Sequence, residues 1–307
     1  MTAYRYLDPA VLKRIASMEL RARRVVEGAL SGIHRSPHRG SSVEFAEHKE
    51  YSPGDEIRLV DWRVYARADR YYVKQFEHET NLRANILLDV SRSMAYRGAS
   101  AAVSKFEYAA TLAASLAVLL HQQGDAVSLV EFADGVRHFI PPRARPGHLR
   151  EVLRRLEVAV PTARDTDIAA VVRDLAERLP RRSAVFILSD LLDLRPEAPR
   201  FLRHLRGRRH DVAVFAVLDR DELDLPFART TRFESMESDA RVLVDPPAVR
   251  AAYLRELRRH IDTWRGACVD AGIDFALCPT DVPVDRALRA FLTRRAGAWT
   301  AAAMPAV

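Results

Sequence analysis

The chain has 307 residues, of which 48% are hydrophobic, and 48 basic side chains against 41 acidic ones give a formal net charge of +7. That length allows one large domain plus a smaller one, and the apolar content excludes a disordered chain. The longest apolar stretch, Ala109–Leu120, is broken by Thr111 and Ser115 and is too short to cross a bilayer.

From Pro9 to Leu30, apolar residues recur at three- and four-residue steps (Leu12, Ile15, Leu20, then Val25, Val26 and Leu30), which predicts a helix. Residues 32–55 carry Gly32, Pro37, Gly40, Pro53 and Gly54 and read as loops around short strands. Within them Ser52-Pro53-Gly54-Asp55 is a turn, because proline presets φ and glycine accepts a positive one. Arg70–Glu77 is expected as a strand. From residue 82 onward strands alternate with amphipathic helices. Leu82–Val90, Ala126–Ala133, Val136–Ile140, Ala184–Leu188, Asp211–Leu218 and Ile273–Leu277 read as strands. Ser104–Gln123, Gly147–Val158, Asp167–Leu179, Pro196–Leu205, Val249–Ala271 and Pro283–Arg295 read as helices, with an irregular stretch around 219–245. The continuous apolar run AVFIL (184–188) suits a central parallel strand covered on both faces. The order predicts an α/β fold with a doubly wound, Rossmann-like, mainly parallel sheet, preceded by a helix and a small β-rich region.

Nearly all of the positive charge is arginine, with lysine only at 13, 49, 74 and 105. A genome rich in G and C accounts for that; attraction to acidic partners or nucleic acid is the functional alternative, and composition does not decide between them. The segment MTAYRYLDPAVLKRIASMELRARR contains no apolar h-region and no small-residue cleavage site, which predicts no secretory signal. Cys268 and Cys278 lie outside any CxxC or Cys/His array, so reduced thiols in a cytoplasmic protein are expected, with a disulfide between them left open.

Chemistry gathers at predicted strand ends, where open α/β sheets bind ligands. Asp89 closes the first strand of the alternating region, and Ser91 and Ser93 follow as D-x-S-x-S, a spacing that turns alternate side chains of a tight loop towards one point. Thr166 is expected at the N-cap of the helix that starts near Asp167. Ser189-Asp190 ends the strand AVFIL. Two carboxylates and three hydroxyls form an all-oxygen set suited to Mg²⁺ or Mn²⁺, with Ca²⁺ less well matched. With ligands acting partly through water, one coordination position is left for an acidic group on a partner.

At this point the segment LLDVSRSM, Thr166 and LSD together resemble the metal-ion-dependent adhesion site of von Willebrand factor A domains. The resemblance implies a sheet of the von Willebrand factor A type, with Ser91, Ser93 and Thr166 coordinating the ion and Asp89 and Asp190 acting through water. Asp165 stands where that family usually has glycine, a departure that touches the backbone of the second loop. The segment Glu44–Glu79, EFAEHKEYSPGDEIRLVDWRVYARADRYYVKQFEHE, resembles the signature of the bacterial domain-of-unknown-function 58 family, with Lys49 and Val60 as conservative departures. That resemblance, covering about 30–297, implies a small β-rich region ahead of a von Willebrand factor A core. Residues 1–80 would hold the helix and β-rich region, 81–299 the core, and 300–307 a tail. It also implies a MoxR-type AAA+ ATPase as partner, in protein or metal-complex maturation. Glu44, Glu47, Glu50, Asp55, Arg58, Asp61, Trp62, Arg63 and Arg67 read as a structural ion-pair network, or else as a docking surface for the ATPase.

The expected function is a non-enzymatic, metal-dependent protein-interaction module whose client offers an acidic residue to the ion. A phosphatase-like hydrolase would use Asp89 as nucleophile, but its usual second aspartate is Ser91 here, and no P-loop or HExxH is present. Nucleic-acid binding rests on the charge alone, since basic and aromatic residues are not interleaved.

Overall fold

The computed structural model describes residues 18, 20, 22–26, 43–50, 72–78, 82–145, 147–163, 166–193, 195 and 198–302, with the backbone alone for 43–50, 72–78 and 296–302. The chain divides into two compact units, residues 35–81 and residues 1–34 together with 82–307. In the smaller unit β1 (Val43–Glu50) pairs antiparallel with β2 (Tyr72–His78), and its register shifts between Phe45 and Glu47. An extra residue there bends and twists the strand. The signature positions Glu44, Glu47 and Glu50 fall on β1, whereas Asp55, Arg58, Asp61, Trp62, Arg63 and Arg67 lie outside the described residues.

The larger unit runs β3 (Arg83–Asp89), α1 (Lys105–Gln122), β4 (Ala126–Phe132), β5 (Val136–Arg143), α2 (His148–Val158), α3 (Ile168–Arg178), β6 (Ala184–Ser189), α4 (Ala198–Gly207) and β7 (Asp211–Leu218). It continues with α5 (Arg220–Asp224), β8 (Thr231–Glu234), β9 (Arg241–Val244), α6 (Pro246–Ala271), β10 (Asp274–Pro279) and α7 (Val284–Ala302). Six strands form one sheet in the order β10-β7-β6-β3-β4-β5, with β5 alone antiparallel. The two-residue period of a strand splits its side chains between two cores. Ile86, Leu88 and Phe215 pack with α1, α2 and α7 on one face. Leu87, Ile187 and Val214 pack with α3, α4 and α6 on the other. The sheet is therefore doubly wound and mainly parallel, as its alternating pattern predicts.

Helix ends follow their sequence signals. Ser104 and Glu107 form a reciprocal capping box at the start of α1. Pro246 opens α6, and Gly272 closes it at φ 64°. Four readings need correction. Asp167, not Thr166, caps α3, its carboxylate accepting from Ala170 N at 2.8 Å. The N-terminal helix buries Met18, Ala22 and Val26, spaced four apart, against the α1 face of the sheet, while Leu20 is 51% exposed. The stretch 219–245 is not irregular: it holds α5 and the β8–β9 hairpin, whose four-residue strands are too exposed to show an apolar alternation. Helix α7 also continues through Ala302, into the expected tail. Cys268 and Cys278 are free, buried thiols in separate cores, and burial pushes both up to about 12.

Candidate metal centre

Strand order reverses between β3 and β6. The chain leaves β3 into α1 on one face, whereas the helix after β6, α4, lies on the other. That divergence opens a crevice beyond the carboxyl ends of these two strands. Asp89 sits at its floor, fully buried, with both oxygens engaged. Ser91 N donates to Oδ1 at 2.8 Å and Ser189 Oγ donates to Oδ2 at 2.6 Å. The Ser91 and Ser93 hydroxyls share a hydrogen bond of 3.1 Å. Asp190, the next residue after Ser189, is buried beside them.

The second loop is fastened to the first. Ser91 bridges Ala163, Arg92 N donates to Ala163 O at 2.8 Å, and Thr162 N donates to Val90 O at 3.1 Å. Thr166 follows, buried, with its carbonyl accepting from the Arg195 guanidinium. Asp193, also buried, holds Arg195 Nη1 at 3.1 Å and accepts from Ile168 N at 3.1 Å, so one carboxylate fixes both Arg195 and the first turn of α3. Asp165 lies outside the described residues. Asp89, Ser91 and Ser93 are thus joined through hydrogen bonds, Ser189 ties Asp89 to the strand end that carries Asp190, and Thr166 is carried by the neighbouring loop.

The sequence reading missed a third layer. Lys105, the first residue of α1, is fully buried and donates to Asp190 Oδ2 at 2.8 Å and to Glu222 Oε1 of α5 at 2.6 Å. Burial pulls the ammonium down, but Asp190 and Glu222 more than reverse this and hold it above its usual range. Asp219 Oδ2 accepts from Gly98 N at 3.0 Å and from Thr280 Oγ1 at 3.1 Å, and Asp221 Oδ2 accepts from Ala99 N at 3.1 Å. The loop that carries Ser91 and Ser93 is therefore tied to the end of β7. The available signal was Lys105 itself, one of four lysines in an arginine-dominated chain, set at the head of an apolar helix.

The donor set fits a hard divalent cation. Burial, then the neighbouring charge of Asp190, pushes the Asp89 carboxyl up to about 7 against the opposing hydrogen bonds from Ser189 and Ser91. Among the described residues no basic side chain pairs with Asp89, so its charge lacks a counter-ion. Among the described residues no three His, Cys, Asp or Glu side chains gather as a metal-binding group, so the fit depends on the hydroxyl oxygens. No helix among the described residues is long and apolar enough to cross a membrane.

The model of the family described as "Protein of unknown function DUF58" matches residues 47–263, well over half of the chain. The chain belongs to the DUF58 family. This DUF58 protein is 26% identical over 258 residues to the uncharacterized protein Rv1480 of Mycobacterium tuberculosis, covering 82% of this chain and 80% of that one. The uncharacterized protein Mb1516 of Mycobacterium bovis matches with the same figures. Among solved structures, it is similar to an aerotolerance-related membrane protein from Bacteroides fragilis (TM-score 0.46, 17% identity, 69% of this chain and 97% of that one). It is also similar to BatB from Bacteroides thetaiotaomicron (TM-score 0.43, 14% identity, 70% and 99%) and to the SpRpn10 VWA domain (TM-score 0.39, 9% identity, 70% and 95%).

Proposed function

We propose that this DUF58 protein is a non-enzymatic, metal-dependent interaction module of the von Willebrand factor A type. In this reading Ser91, Ser93 and Thr166 hold a divalent ion, Mg²⁺ in the first instance, and Asp89 and Asp190 support it from behind. The observation that carries the reading is the paired Ser91 and Ser93 hydroxyls beside a fully buried Asp89 that has no counter-ion among the described residues. A bound cation would supply the missing charge and present an open position to a carboxylate on a partner.

Burial also argues against the hydrolase reading. A nucleophilic aspartate must be reached by its substrate, and Asp89 is closed off with both oxygens occupied. Around the crevice the surface suits a protein partner. Arg92 lines a hollow together with the turn of the β8–β9 hairpin, and that hairpin exposes Val242 and Leu243. The partner proposed is a MoxR-type AAA+ ATPase or its client, in the cytoplasm, with the protein acting as adaptor. The test is capture of the purified ATPase by this protein with and without chelator, alongside Asp89→Ala. Loss of capture in both arms supports a metal-bridged contact. Capture indifferent to both contradicts it.

A further inference from the structure

Lys105 has no part in the reading above, yet it is the most deeply buried cation at the crevice. Its two carboxylate partners come from different elements: Asp190 follows β6, and Glu222 lies on α5. We propose that Lys105 is the site's resident counter-ion, competing with a divalent metal for Asp190 and falling back on Glu222 when the metal is bound. The inference rests on the metal reading but adds a residue that sets how tightly, and at what ion concentration, the site fills.

Three observations carry it. First, Asp190 stands between Asp89 and Lys105: its charge acts on Asp89, and its Oδ2 accepts from the Lys105 ammonium. Second, the ammonium is already engaged at 2.8 Å with Asp190, so a cation drawing on the same carboxylate must contend with it. Third, Glu222 is itself held in place: its Oε2 accepts from Asp219 N at 2.8 Å while its Oε1 accepts from Lys105. A fixed second acceptor means that Lys105 is never left buried and unpaired when Asp190 turns to the metal, an outcome that would otherwise be strongly unfavourable. The Tyr96 ring, with its centroid 5.9 Å from Nζ, gives the ammonium a further favourable neighbour.

The experiment is calorimetric titration of the full chain with MgCl₂ alone, comparing wild type with Lys105→Met, Glu222→Gln and, as control, Asp224→Asn, an exposed acid on the same helix paired with Arg220. Metal-free thermal unfolding of each variant accompanies it. Removing the resident charge should tighten Mg²⁺ binding by about ten-fold or more. It should also lower the metal-free unfolding temperature and enlarge the rise that Mg²⁺ produces. Glu222→Gln concentrates the ammonium on Asp190 and should weaken binding several-fold, while Asp224→Asn leaves it unchanged. Binding by Lys105→Met when the wild type shows none would still support competition, while removing metal loading from the wild-type function. A folded Lys105→Met that binds with wild-type or lower affinity overturns the inference and leaves the metal reading standing. Absence of binding in wild type and Lys105→Met alike overturns both. If Lys105→Met does not fold, Glu222→Gln decides: weaker binding supports competition, and unchanged or tighter binding overturns it.

Discussion

Gly98→Ala isolates the link between the candidate site and the end of β7. A Cβ at residue 98 would lie 2.3 Å from Asp219 Oδ1 and 2.6 Å from Asp221 Oδ2, distances that real side chains do not sustain. The carboxylates cannot simply swing away. Asp219 also accepts from Asp221 N at 2.9 Å and from Thr280 Oγ1, so relief has to come from the 96–103 loop. Moving that loop breaks the bonds from Gly98 N and Ala99 N to charged acceptors, each contributing about 1.5–3 kcal/mol. Allowing for partial relaxation, the expected loss is about 2–4 kcal/mol, or roughly 5–15 °C in unfolding temperature for a domain of this size. The matched control is Gly266→Ala. It lies inside α6 with nothing within 4 Å of the new Cβ, and should stabilise by roughly 0.5–1 kcal/mol. Denaturant unfolding of both variants checks the pair. A Gly98→Ala protein within about 0.5 kcal/mol of wild type would refute the reasoning that the loop is pinned by these carboxylates.

Other expectations follow from the same contacts. Leu112 is fully buried in α1, so Leu112→Ala should cost about 2–5 kcal/mol in denaturant unfolding. Glu131 is buried in β4 and is gripped by the Arg155 guanidinium, with Nε 2.6 Å from Oε1. Arg155→Met leaves that carboxylate without its partner, but Arg155 is 33% exposed, so the expected loss is about 1–3 kcal/mol, part of it restored by adding Glu131→Leu. Burial lowers the His210 imidazole below 6.5, and Nδ1 accepts a hydrogen bond from Ser183 N at 3.2 Å, which also favours the neutral ring. The unfolded chain then takes up a proton more readily than the native one, so stability is full above pH 6.5 and declines as pH falls through the lowered folded value. Unfolding at pH 7.5 and 5 should show that loss in the wild type and a smaller one in His210→Gln.

The sheet was legible because its strands are long apolar runs buried on both faces, and the helices because their caps are local: Ser104 with Glu107, and Gly272 after α6. Asp89, Ser91 and Ser93 were legible for a similar reason, being close in sequence at a strand end. Residues brought together by topology were not. Lys105 meets Asp190 across 85 positions, and Gly98 meets Asp219 across 121, and no local pattern encodes either encounter. Asp167 displaced Thr166 as helix cap because adjacent oxygen-bearing side chains are equivalent candidates until the backbone turn is known. The β8–β9 hairpin escaped notice because exposed strands carry no burial pattern.

We propose above all that three hydroxyls and two carboxylates at the β3–β6 crevice hold a divalent ion. Crystals soaked in MnCl₂ test it most directly, through the anomalous signal of the bound ion. One peak bounded by the Ser91, Ser93 and Thr166 hydroxyls, and lost in Asp89→Ala, is the expected result. Fully diffracting crystals with no peak there, or with manganese bound only at surface carboxylates, would contradict it.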